Sequence, residues 1–575
     1  MKLSKLIGNR IKETPKDAFS ASHIFLIRGG YMRPLSTGIY TLLPLAKRII
    51  SKIENIIREE MNALEGQEIT MPVVNPAEIW QESGRYDKVD QTLLRFKDRN
   101  NKDMVLAMTH EEAVCHMART EITSYKQMPS MVYQIQTKYR DEARARAGLI
   151  RVREFTMKDA YSFHESSECL EGFYQRAHQA YENIFRRIGM TDVLSIEADS
   201  GMIGGSVSHE FMAVSDIGED TIVVSPCRKY LANREIATSG FSLTQEEPRD
   251  LEKVHTPDAK SIADVAHFMG TAERDSCKAV FYESSSTDDL IFVLIRGDLE
   301  VNEIKLSNYL QAKDLTAATE EKINATGAVA GYASPMGVNL DGVKLIVDPT
   351  IVNSSNLIAG ANEFGYHYKN FNFGRDCGEV GEVVDVATVR AGDPCPLTGA
   401  PLEELRGIEV GNIFQLGTAY SGPMNVKYLD KNGKSQIVKM GCYGIGVGRA
   451  LASVCEQNND KYGPVWPLAI APYHVHIAVL SRNKEGVGEA GDSFYESLMS
   501  SGLDVMYDDR NVKAGFAFND ADLIGVPYRV IISPKNLEQG KVEFKSRDGS
   551  IQEMIDLDGA ADYVIQYIKE KLASL

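Results

Sequence analysis

The chain has 575 residues, and its 63 lysines and arginines against 80 aspartates and glutamates give a net charge of −17. That acidic balance argues against a protein that coats DNA through overall positive charge, but it leaves room for RNA binding through a local basic patch. Eight cysteines in this length exclude a scaffold held together by disulfides. The length predicts about three or four domains, each able to bury its own core.

The first ten residues interrupt apolar side chains with charges, so we expect no secretory signal. No run reaches about 18 apolar residues, so we expect no transmembrane helix, and a cytoplasmic location with reduced thiols is the default. The cysteines form no Cys-x-x-Cys pair, the spacing that zinc sites usually need. The sequence therefore predicts no zinc site.

Residues 44–64 place isoleucine, leucine and methionine side chains at helical spacing behind Pro44, which suits the first turn of a helix. Residues 68–74 then read as a short strand, and Pro72 within it favours a sheet edge or a boundary. A helix that leads into an edge strand can build a dimer interface. Ordinary packing is the alternative, and the residues alone favour it.

Residues 104–108 predict a strand that runs into Thr109-His110-Glu111-Glu112. Thr109 and Glu112 have the spacing of a helix capping box, in which the two side chains satisfy backbone groups of the first turn. A good cap is all that this spacing requires. Glu111 is not needed for the cap, which leaves it free for another role.

Residues 131–142 alternate apolar and polar side chains as a strand does, and residues 149–155 alternate again after an arginine-rich turn. The pattern predicts an antiparallel hairpin in which Arg140 and Glu142 share a strand face. From residue 138 to residue 158, seven basic and three acidic residues give a local charge of +4. Four of its arginines suit bidentate contacts with phosphates, and a solvated hairpin is the simpler alternative. These arginines are Arg144, Arg146, Arg151 and Arg153.

Residues 224–405 alternate short β-rich runs with helical stretches and read as a separate α/β module. After a proline-marked linker at 462–472, strands and helices alternate again over about 100 residues, as in a further α/β domain. Between these modules, residues 441–449 carry glycines where a strand meets a helix, so a ligand can approach the backbone there. Arg449 falls at the helix N-terminus, which favours anions, although this signal alone is weak.

Taken together, three segments resemble motifs 1, 2 and 3 of the class II aminoacyl-tRNA synthetases. They are residues 38–72, Tyr139-Arg140-Asp141-Glu142 with Arg153-Glu154-Phe155, and the glycine-rich stretch that ends at Arg449. The resemblance is closer to the prolyl-tRNA synthetase family of the bacterial type and covers essentially the whole chain. It is carried by Thr109-His110-Glu111-Glu112, residues 157–164, Ile203-Gly204-Gly205, residues 208–211, the segment from Arg296 to Glu303, and residues 406–418.

The resemblance implies an α+β fold with an antiparallel catalytic sheet of six strands, an inserted α/β editing domain and a C-terminal α/β anticodon-binding domain. The corresponding boundaries are 1–223 and 406–465 for the catalytic domain, 224–405 for the insertion and 473–575 for the anticodon-binding domain. The implied activity is ATP-dependent ligation of L-proline to its tRNA through prolyl-adenylate, with hydrolysis of mischarged alanyl-tRNA. The implied assembly is a homodimer through motif 1, with neither DNA nor a membrane as partner.

The resemblance also implies roles for single residues. The catalytic residues are Arg140, Glu142 and Arg449. ATP would be bound by Arg140 on the α-phosphate, Glu142 and Phe155 on the adenine, Arg151, Arg449 on the γ-phosphate, and Glu409 near the ribose and Mg2+. Proline would be bound by Thr109, Glu111 and Arg140. Editing would use Lys278, which positions the tRNA 3′ end, in a small pocket with Ile262, Val265, Asp348 and His367. The anticodon would meet Arg510, Lys513 and Phe516.

Two positions depart from the family pattern. Cys395-Pro396-Leu397-Thr398 stands where many relatives carry Cys-x-x-Cys, so we expect no metal there, and Asn412 stands where many have histidine. Two alternative functions remain open at this point. One is a class II synthetase for another amino acid, such as threonine, and the other is a non-catalytic paralogue, although such paralogues usually lose an arginine of motif 2 or motif 3.

Overall fold

The computed structural model describes residues 1–199, 201, 203–205, 207–241, 243, 245–285, 289–312, 314–378 and 380–574. They form two compact units. The main unit consists of residues 1–195, 200–219 and 406–575, and the second unit of residues 196–199 and 220–405.

The helices are α1 (Ala21–Arg28), α2 (Pro44–Ala63), α3 (Ala77–Ser83), α4 (Arg85–Lys88), α5 (Glu111–Glu121), α6 (Ser167–Arg187), α7 (Ile262–Met269), α8 (Glu303–Leu310), α9 (Glu320–Ala325), α10 (Pro349–Val352), α11 (Phe373–Cys377), α12 (Val447–Gln457), α13 (Val487–Ser500), α14 (Ala514–Ile524), α15 (Pro534–Leu537) and α16 (Ala560–Ala573). Short 3-10 helices span Leu3–Lys5, Tyr125–Gln127 and Glu273–Asp275.

The strands up to residue 233 are β1 (Met32–Ser36), β2 (Ile39–Leu42), β3 (Gln67–Glu68), β4 (Val74–Pro76), β5 (Arg95–Lys97), β6 (Asp103–Leu106), β7 (Ser130–Tyr139), β8 (Glu154–His164), β9 (Val193–Glu197), β10 (Val207–Val214), β11 (Asp220–Val224) and β12 (Leu231–Asn233). Those up to residue 417 are β13 (Glu252–His255), β14 (Cys277–Glu283), β15 (Leu290–Arg296), β16 (Thr316–Ala317), β17 (Val343–Val347), β18 (Leu357–Gly360), β19 (Tyr366–Phe371), β20 (Glu382–Val383) and β21 (Glu403–Gly417). The remaining strands are β22 (Lys427–Leu429), β23 (Ser435–Ile437), β24 (Lys439–Gly446), β25 (Asn459–Asp460), β26 (Gly463–Pro464), β27 (Val475–Val479), β28 (Val505–Asp508), β29 (Tyr528–Ile532), β30 (Lys541–Ser546) and β31 (Gln552–Asp556).

The central sheet of the main unit is part of a sheet of nine strands, and its own strands pair in the order β10-β21-β24-β8-β7-β3. Its neighbouring strands are antiparallel except at one edge, where β3 pairs with β7 in parallel. Helices α2, α6 and α12 share one apolar core with this sheet, through residues such as Ile49, Tyr181, Leu451 and Tyr443. The opposite face packs against a second apolar cluster, which includes Tyr161, Cys442 and Val114 of α5.

The sequence predicted one strand over residues 68–74, and this is wrong. The segment instead crosses from the central sheet to the small sheet β4-β6-β5. In between, the Met71 N–H donates to Oε1 of Gln134 at 2.9 Å, so a side chain rather than a neighbouring strand satisfies the backbone. The predicted helix at 44–64 is confirmed, since α2 spans Pro44–Ala63.

The C-terminal part of the main unit contains the sheet β28-β27-β29-β30-β31. Strand β27 is parallel to both of its neighbours, and β29, β30 and β31 pair antiparallel. Helices α13 and α16 contribute to its core. Trp466, in the proline-marked segment before it, is buried, and its indole N–H donates to the Tyr31 hydroxyl at 2.7 Å.

The second unit contains the sheet β16-β14-β15-β17-β20 and a smaller sheet β13-β19-β18. Every residue of β15 is buried, which is what its unbroken apolar sequence predicts for a central strand. Across the described part of the chain, no helix combines the length and the apolar character that crossing a bilayer requires.

Candidate active site

The segment Thr109-His110-Glu111-Glu112, which the sequence predicts to cap a helix, lies at the N-terminus of α5. The helix begins at Glu111, and its N-cap His110 makes no side-chain capping bond. The predicted capping box is wrong because Thr109 and Glu112 both turn to a third residue, Arg85, whose Nη1 lies 3.0 Å from Thr109 Oγ1 and 3.0 Å from Glu112 Oε1. Glu111 and Glu112 fall in the first helical turn, where the helix dipole favours carboxylates.

Arg85 is a site residue that sequence reasoning missed. It opens the short helix α4 directly after Gly84, whose φ of 76° lies in the left-handed region that glycine adopts without strain. Its Nη1 also approaches Glu111 Oε2 at 3.4 Å, and its guanidinium packs on the rings of Trp80 and Tyr420. A single arginine after Ser-Gly carries no pattern that could have announced this role.

The pKa values of the two adjacent buried carboxyls, Glu111 and Glu112, are shifted in opposite directions. Burial alone would raise the pKa of Glu111, but the Arg85 guanidinium and hydrogen bonds from Thr109 and Cys442 hold that pKa below its usual value. Burial raises the pKa of Glu112 to about 7, with the neighbouring Glu111 adding to the rise and Arg85 opposing it. The Cys442 thiol donates to Glu111 Oε1 at 3.2 Å, which gives this cysteine a place in the site.

The arginine-rich hairpin differs from its predicted form. Strand β7 ends at Tyr139 and β8 begins at Glu154, so Arg140 and Glu142 lie in the loop and share no strand face. The Asp141 N–H bonds to the Thr92 carbonyl instead of to the returning strand. Leu149 and Ile150 are both buried, so the predicted alternation over 149–155 is wrong as well.

Arg140 lies among the charged groups of the site. Its guanidinium carbon is 5.2 Å from the centre of the Phe155 ring. Burial and the nearby Arg449 lower the pKa of Arg140, whereas Glu409 and Glu111 act in the opposite direction. Arg140 therefore interacts electrostatically with the Thr109–Glu112 segment and with the glycine-rich segment alike.

The hairpin loop holds a second charged cluster, formed by Arg151 with two carboxylates. Its Nη2 donates to Glu142 Oε1 at 2.9 Å and its Nη1 to Glu219 Oε2 at 2.7 Å. Arg146 also donates to Glu219, through Nε at 2.5 Å. Glu219 is a second residue that the sequence did not indicate.

Arg449 follows the glycine-rich strand β24, in the first turn of α12. Its Nη1 donates to the Glu409 carbonyl at 2.7 Å and lies 3.3 Å from the Glu409 carboxylate. A bulge in β21 skips Val410 in the pairing with β10, and so turns Glu409 and Asn412 to the same side. The Asn412 amide consequently donates to Glu409 Oε1 at 3.3 Å, which gives this departure from the family pattern a structural role.

The glycines of this segment serve different purposes. A Cβ at Gly441 would lie 2.3 Å from the Tyr443 hydroxyl, so packing alone requires glycine there. A Cβ at Gly448 would meet nothing within 4 Å, and one at Gly446 would meet only Cβ of Arg449 at 3.5 Å. The backbone next to Arg449 is therefore open to a ligand.

Within the described residues, no three histidine, cysteine, aspartate or glutamate side chains group as a metal site. Glu409 is a single carboxylate whose oxygens face Arg449 and Asn412. Mg2+ in nucleotide sites is commonly held by one or two carboxylates together with the phosphates, so Glu409 fits such an ion only when nucleotide supplies the other ligands.

The second unit has a cavity of about 400 Å3 that brings together four of the five predicted editing residues, namely Ile262, Val265, Lys278 and His367. Lys278 Nζ is 3.1 Å from Glu300 Oε1, and burial lowers the pKa of His367, whose Nδ1 is 2.7 Å from Thr256 Oγ1. Asp348 is not among the lining residues. Its carboxylate caps α10 and accepts hydrogen bonds from Thr350 and the Val386 N–H.

The predicted anticodon residues lie around the start of α14. Lys513 is its N-cap and Phe516 is 56% exposed. Arg510 is held by the carboxylates of Asp508 and Asp520 at 2.8 Å each, with its guanidinium over the Phe516 ring. The buried side chain of Arg547 in the same domain forms a bidentate pair with Asp460, as a buried guanidinium needs a carboxylate partner.

Comparisons with known proteins agree with this geometry. Residues 94–458 match the family model described as tRNA synthetase class II core domain (G, H, P, S and T), and residues 474–567 match the anticodon binding domain. A proline--tRNA ligase of Dehalococcoides mccartyi is 46% identical over 572 residues, which cover 99% of this chain and all of that protein. One from Moorella thermoacetica is 44% identical over 97% of both chains.

Among solved structures, the prolyl-tRNA synthetase of Cryptosporidium parvum in complex with halofuginone and AMPPNP has a TM-score of 0.58 at 12% identity. It covers 98% of this chain and 80% of its own, and at that identity it shows the shared fold. The match of the core model and the near-complete coverage by the ligases place the chain in one family. The chain belongs to the prolyl-tRNA synthetase family of the class II aminoacyl-tRNA synthetases.

Proposed function

We propose that this chain activates L-proline with ATP and transfers the prolyl group to proline tRNA. The observation that carries the proposal is the buried group in which Arg85 Nη1 lies 3.0 Å from Thr109 Oγ1 and 3.4 Å from Glu111 Oε2. A carboxylate beside a hydroxyl suits the secondary ammonium of proline. Clustered arginines suit the phosphates of ATP.

The chemistry needs no covalent enzyme intermediate. The carboxylate of proline attacks the α-phosphorus of ATP and pyrophosphate leaves, so negative charge spreads over the phosphate oxygens in the transition state. Arg140 and Arg449 stabilise that charge, and their fixed positions avoid reorganisation during the step. Thr109 and Glu111 orient the amino group, which holds the substrate carboxylate toward Arg140.

Mg2+ bound with ATP would neutralise part of the phosphate charge, and Glu409 is the carboxylate that would hold it. Phe155 and Glu142 would bind the adenine by stacking and hydrogen bonding, and Arg151 would contact the phosphates. Removing divalent cations with EDTA should abolish ATP–pyrophosphate exchange. Persistence of exchange would exclude the ion from the site.

Pyrophosphate exchange across a panel of amino acids tests the activity. We expect exchange to depend on L-proline, with much weaker exchange for alanine. Exchange that depends on threonine would favour a different class II specificity. Exchange with no amino acid of the panel would favour a non-catalytic paralogue.

We further propose that the second unit hydrolyses mischarged alanyl-tRNA. A proline pocket cannot exclude the smaller alanine, because missing methylene groups cost only about 1–3 kcal/mol of binding. The cavity at Lys278 and His367 is a second, smaller site in which this hydrolysis could occur. Lys278 would position the tRNA 3′ end by its charge.

Lys278→Ala should slow the deacylation of alanyl-tRNA and leave proline exchange intact. Lys344→Ala is a matched control, because Lys344 lies in the same sheet, in an ion pair with Glu382, and is not among the residues that line the cavity. Equal deacylation by both variants and the unchanged protein would remove Lys278 from the mechanism. No deacylation by the unchanged protein would remove the editing activity.

The C-terminal domain would bind the anticodon of proline tRNA, with Phe516 stacking on a base and Lys513 near the backbone. Arg510, which is fixed by the carboxylates of Asp508 and Asp520, would hold the Phe516 ring in place. Phe516→Ala should lower aminoacylation more than exchange. Tyr563→Ala, at another exposed aromatic residue of the same domain, is the control and should change neither activity.

We also propose a homodimer in the cytoplasm, formed through the motif 1 edge of the central sheet. Beside β3 lies a groove of about 910 Å3 with a largely apolar lining that includes Ile69, Met71, Val74 and Val132, and a second copy would cover it. Light scattering should give about twice the 63.7 kDa chain mass. Val74→Asp should yield monomer, and Val352→Asp, at an exposed position of the second unit, should not.

A further inference from the structure

In the pocket around α5, one guanidinium is hydrogen-bonded to two carboxyls. Arg85, Glu111 and Glu112 are 5%, 1% and 0% exposed, so solvent screens none of them well. Arg140 also interacts with Glu111, but it is the arginine that the carboxylate of the substrate would engage, so Arg85 alone remains to compensate both carboxyls. Isolated buried charge of this kind is expensive unless a further partner or a proton neutralises it.

Arg85 connects Thr109 and both carboxyls through a single nitrogen. Nη1 lies 3.0 Å from Thr109 Oγ1, 3.4 Å from Glu111 Oε2 and 3.0 Å from Glu112 Oε1. Nε and Nη2 are buried and find no hydrogen-bond partner among the described residues. Stacking on Trp80 at 5.0 Å and Tyr420 at 5.5 Å fixes the plane of the guanidinium.

We propose that Arg85 is a positioning residue of the amino-acid pocket, holding Thr109 and Glu111 in place, and that the second carboxyl keeps the pocket short of one positive charge. The secondary ammonium of the substrate supplies that charge. The inference rests on the proposed proline activation and adds how the pocket recognises a cation.

Proton release on substrate binding follows from this charge count. The groups that face Glu112 are Ser83 of α3, Arg85 of α4, Glu111 and Cys115 of α5, and Tyr420 after β21. Burial raises the pKa of Glu112 to about 7, so near neutral pH the free site holds its proton part of the time. When the ammonium binds, the proton leaves Glu112 for solvent. Binding therefore tightens as the pH rises.

Proline-dependent pyrophosphate exchange at saturating ATP tests both parts. For the unchanged enzyme, the KM for proline should fall as the pH rises from about 6 to 8, by up to about tenfold per pH unit below the pKa. Glu112→Gln removes the titrating group with little change of shape, so the KM for proline should become nearly independent of pH in this range.

Arg85→Lys keeps the charge but loses the planar fork, so the KM for proline should rise roughly 10- to 100-fold while the KM for ATP stays within about twofold. Arg187→Lys is the matched control. Arg187 ends α6 and also pairs with two carboxylates, those of Glu59 and Glu60 in α2, neither of which belongs to the pocket. It should leave both KM values unchanged.

Equal changes in the two KM values of Arg85→Lys would reduce Arg85 to a structural role. A Glu112→Gln profile that parallels the unchanged enzyme would overturn the proton linkage, and this comparison decides alone if Arg85→Lys fails to fold. Failure of the underlying activity has a separate signature, because the unchanged enzyme would then show no proline-dependent exchange.

Discussion

Two charged clusters of the main unit each join arginine to two glutamates but differ in exposure. In the pocket cluster, the side chains of Arg85 and Glu112 are 6% and 0% exposed. In the loop cluster, those of Arg151 and Glu219 are 36% and 26% exposed. The same charges therefore act in two different dielectric environments.

The difference shows in the carboxyl groups. Partial burial would raise the pKa of Glu142 and of Glu219, but hydrogen bonds from arginine hold both pKa values below the usual value. In the pocket cluster, burial prevails for one carboxyl and raises the pKa of Glu112 to about 7. We infer that the pocket is fixed before substrate arrives, whereas the loop arginines can exchange glutamate for phosphate.

The largest expected effect is on the free energy of unfolding, which should fall much more when the arginine of the pocket cluster is removed than when that of the loop cluster is removed. Arg85→Ala leaves two buried carboxyls without their cation, and breaking such a pair typically costs about 3–5 kcal/mol. Arg151→Ala breaks a half-exposed pair that is worth at most about 1 kcal/mol. Urea unfolding followed by tryptophan fluorescence reports on the main unit, because Trp80 and Trp466 both lie there. Similar midpoints for the two variants would contradict the comparison.

Arg140→Ala should produce the largest loss of activity. Removing a fixed donor from a developing oxyanion costs roughly 3–4 kcal/mol, so kcat/KM for proline-dependent exchange should fall by about two to three orders of magnitude. Arg176→Ala on the exposed side of α6 is the control and should match the unchanged protein. Near-normal exchange by Arg140→Ala would remove this residue from the phosphate site.

The pocket cluster also predicts how stability depends on pH. Because the folded-state pKa of Glu112 is raised to about 7, the folded protein binds this proton more tightly than the unfolded chain does. Its contribution to stability is present below about pH 4 and is lost as the pH rises toward 7, at no more than about 1.4 kcal/mol per pH unit. Glu112→Gln should flatten this slope in urea unfolding between pH 5 and 7. An unchanged slope would show that Glu112 keeps an ordinary pKa.

The sequence predicted what local periodicity controls. The helix behind Pro44, the strand-to-helix passage at the glycine-rich segment and the alternating C-terminal elements follow from the spacing of apolar side chains. The family resemblance indicated Arg140, Glu409 and Arg449, which the structure brings together. Such features depend on residues that are neighbours in sequence or on a recognisable motif.

Sequence reasoning failed where the position of a side chain is determined by a residue that is distant in sequence. Thr109 has the spacing of a cap, but Arg85, 24 residues earlier, takes its hydroxyl. Glu409 and Asn412 should point to opposite faces of a regular strand, and a bulge turns them to one side. Arg547 pairs with Asp460, 87 residues away. None of these pairings leaves a local pattern.

The smallest expected effect belongs to Glu219, and it tests whether the loop cluster can rearrange. Glu219 accepts hydrogen bonds from Arg146 and Arg151, so it competes with phosphate for the same donors. Glu219→Gln removes that competitor, and the KM for ATP in pyrophosphate exchange should fall by at most about fivefold, since an exposed pair is worth no more than about 1 kcal/mol. The difference should shrink as salt is raised, because the pair is partly screened. Glu182→Gln, on α6, is the control. A rise in the KM for ATP would mean that Glu219 prepares the arginines for phosphate rather than competing with it, and the loop would then be as fixed as the pocket.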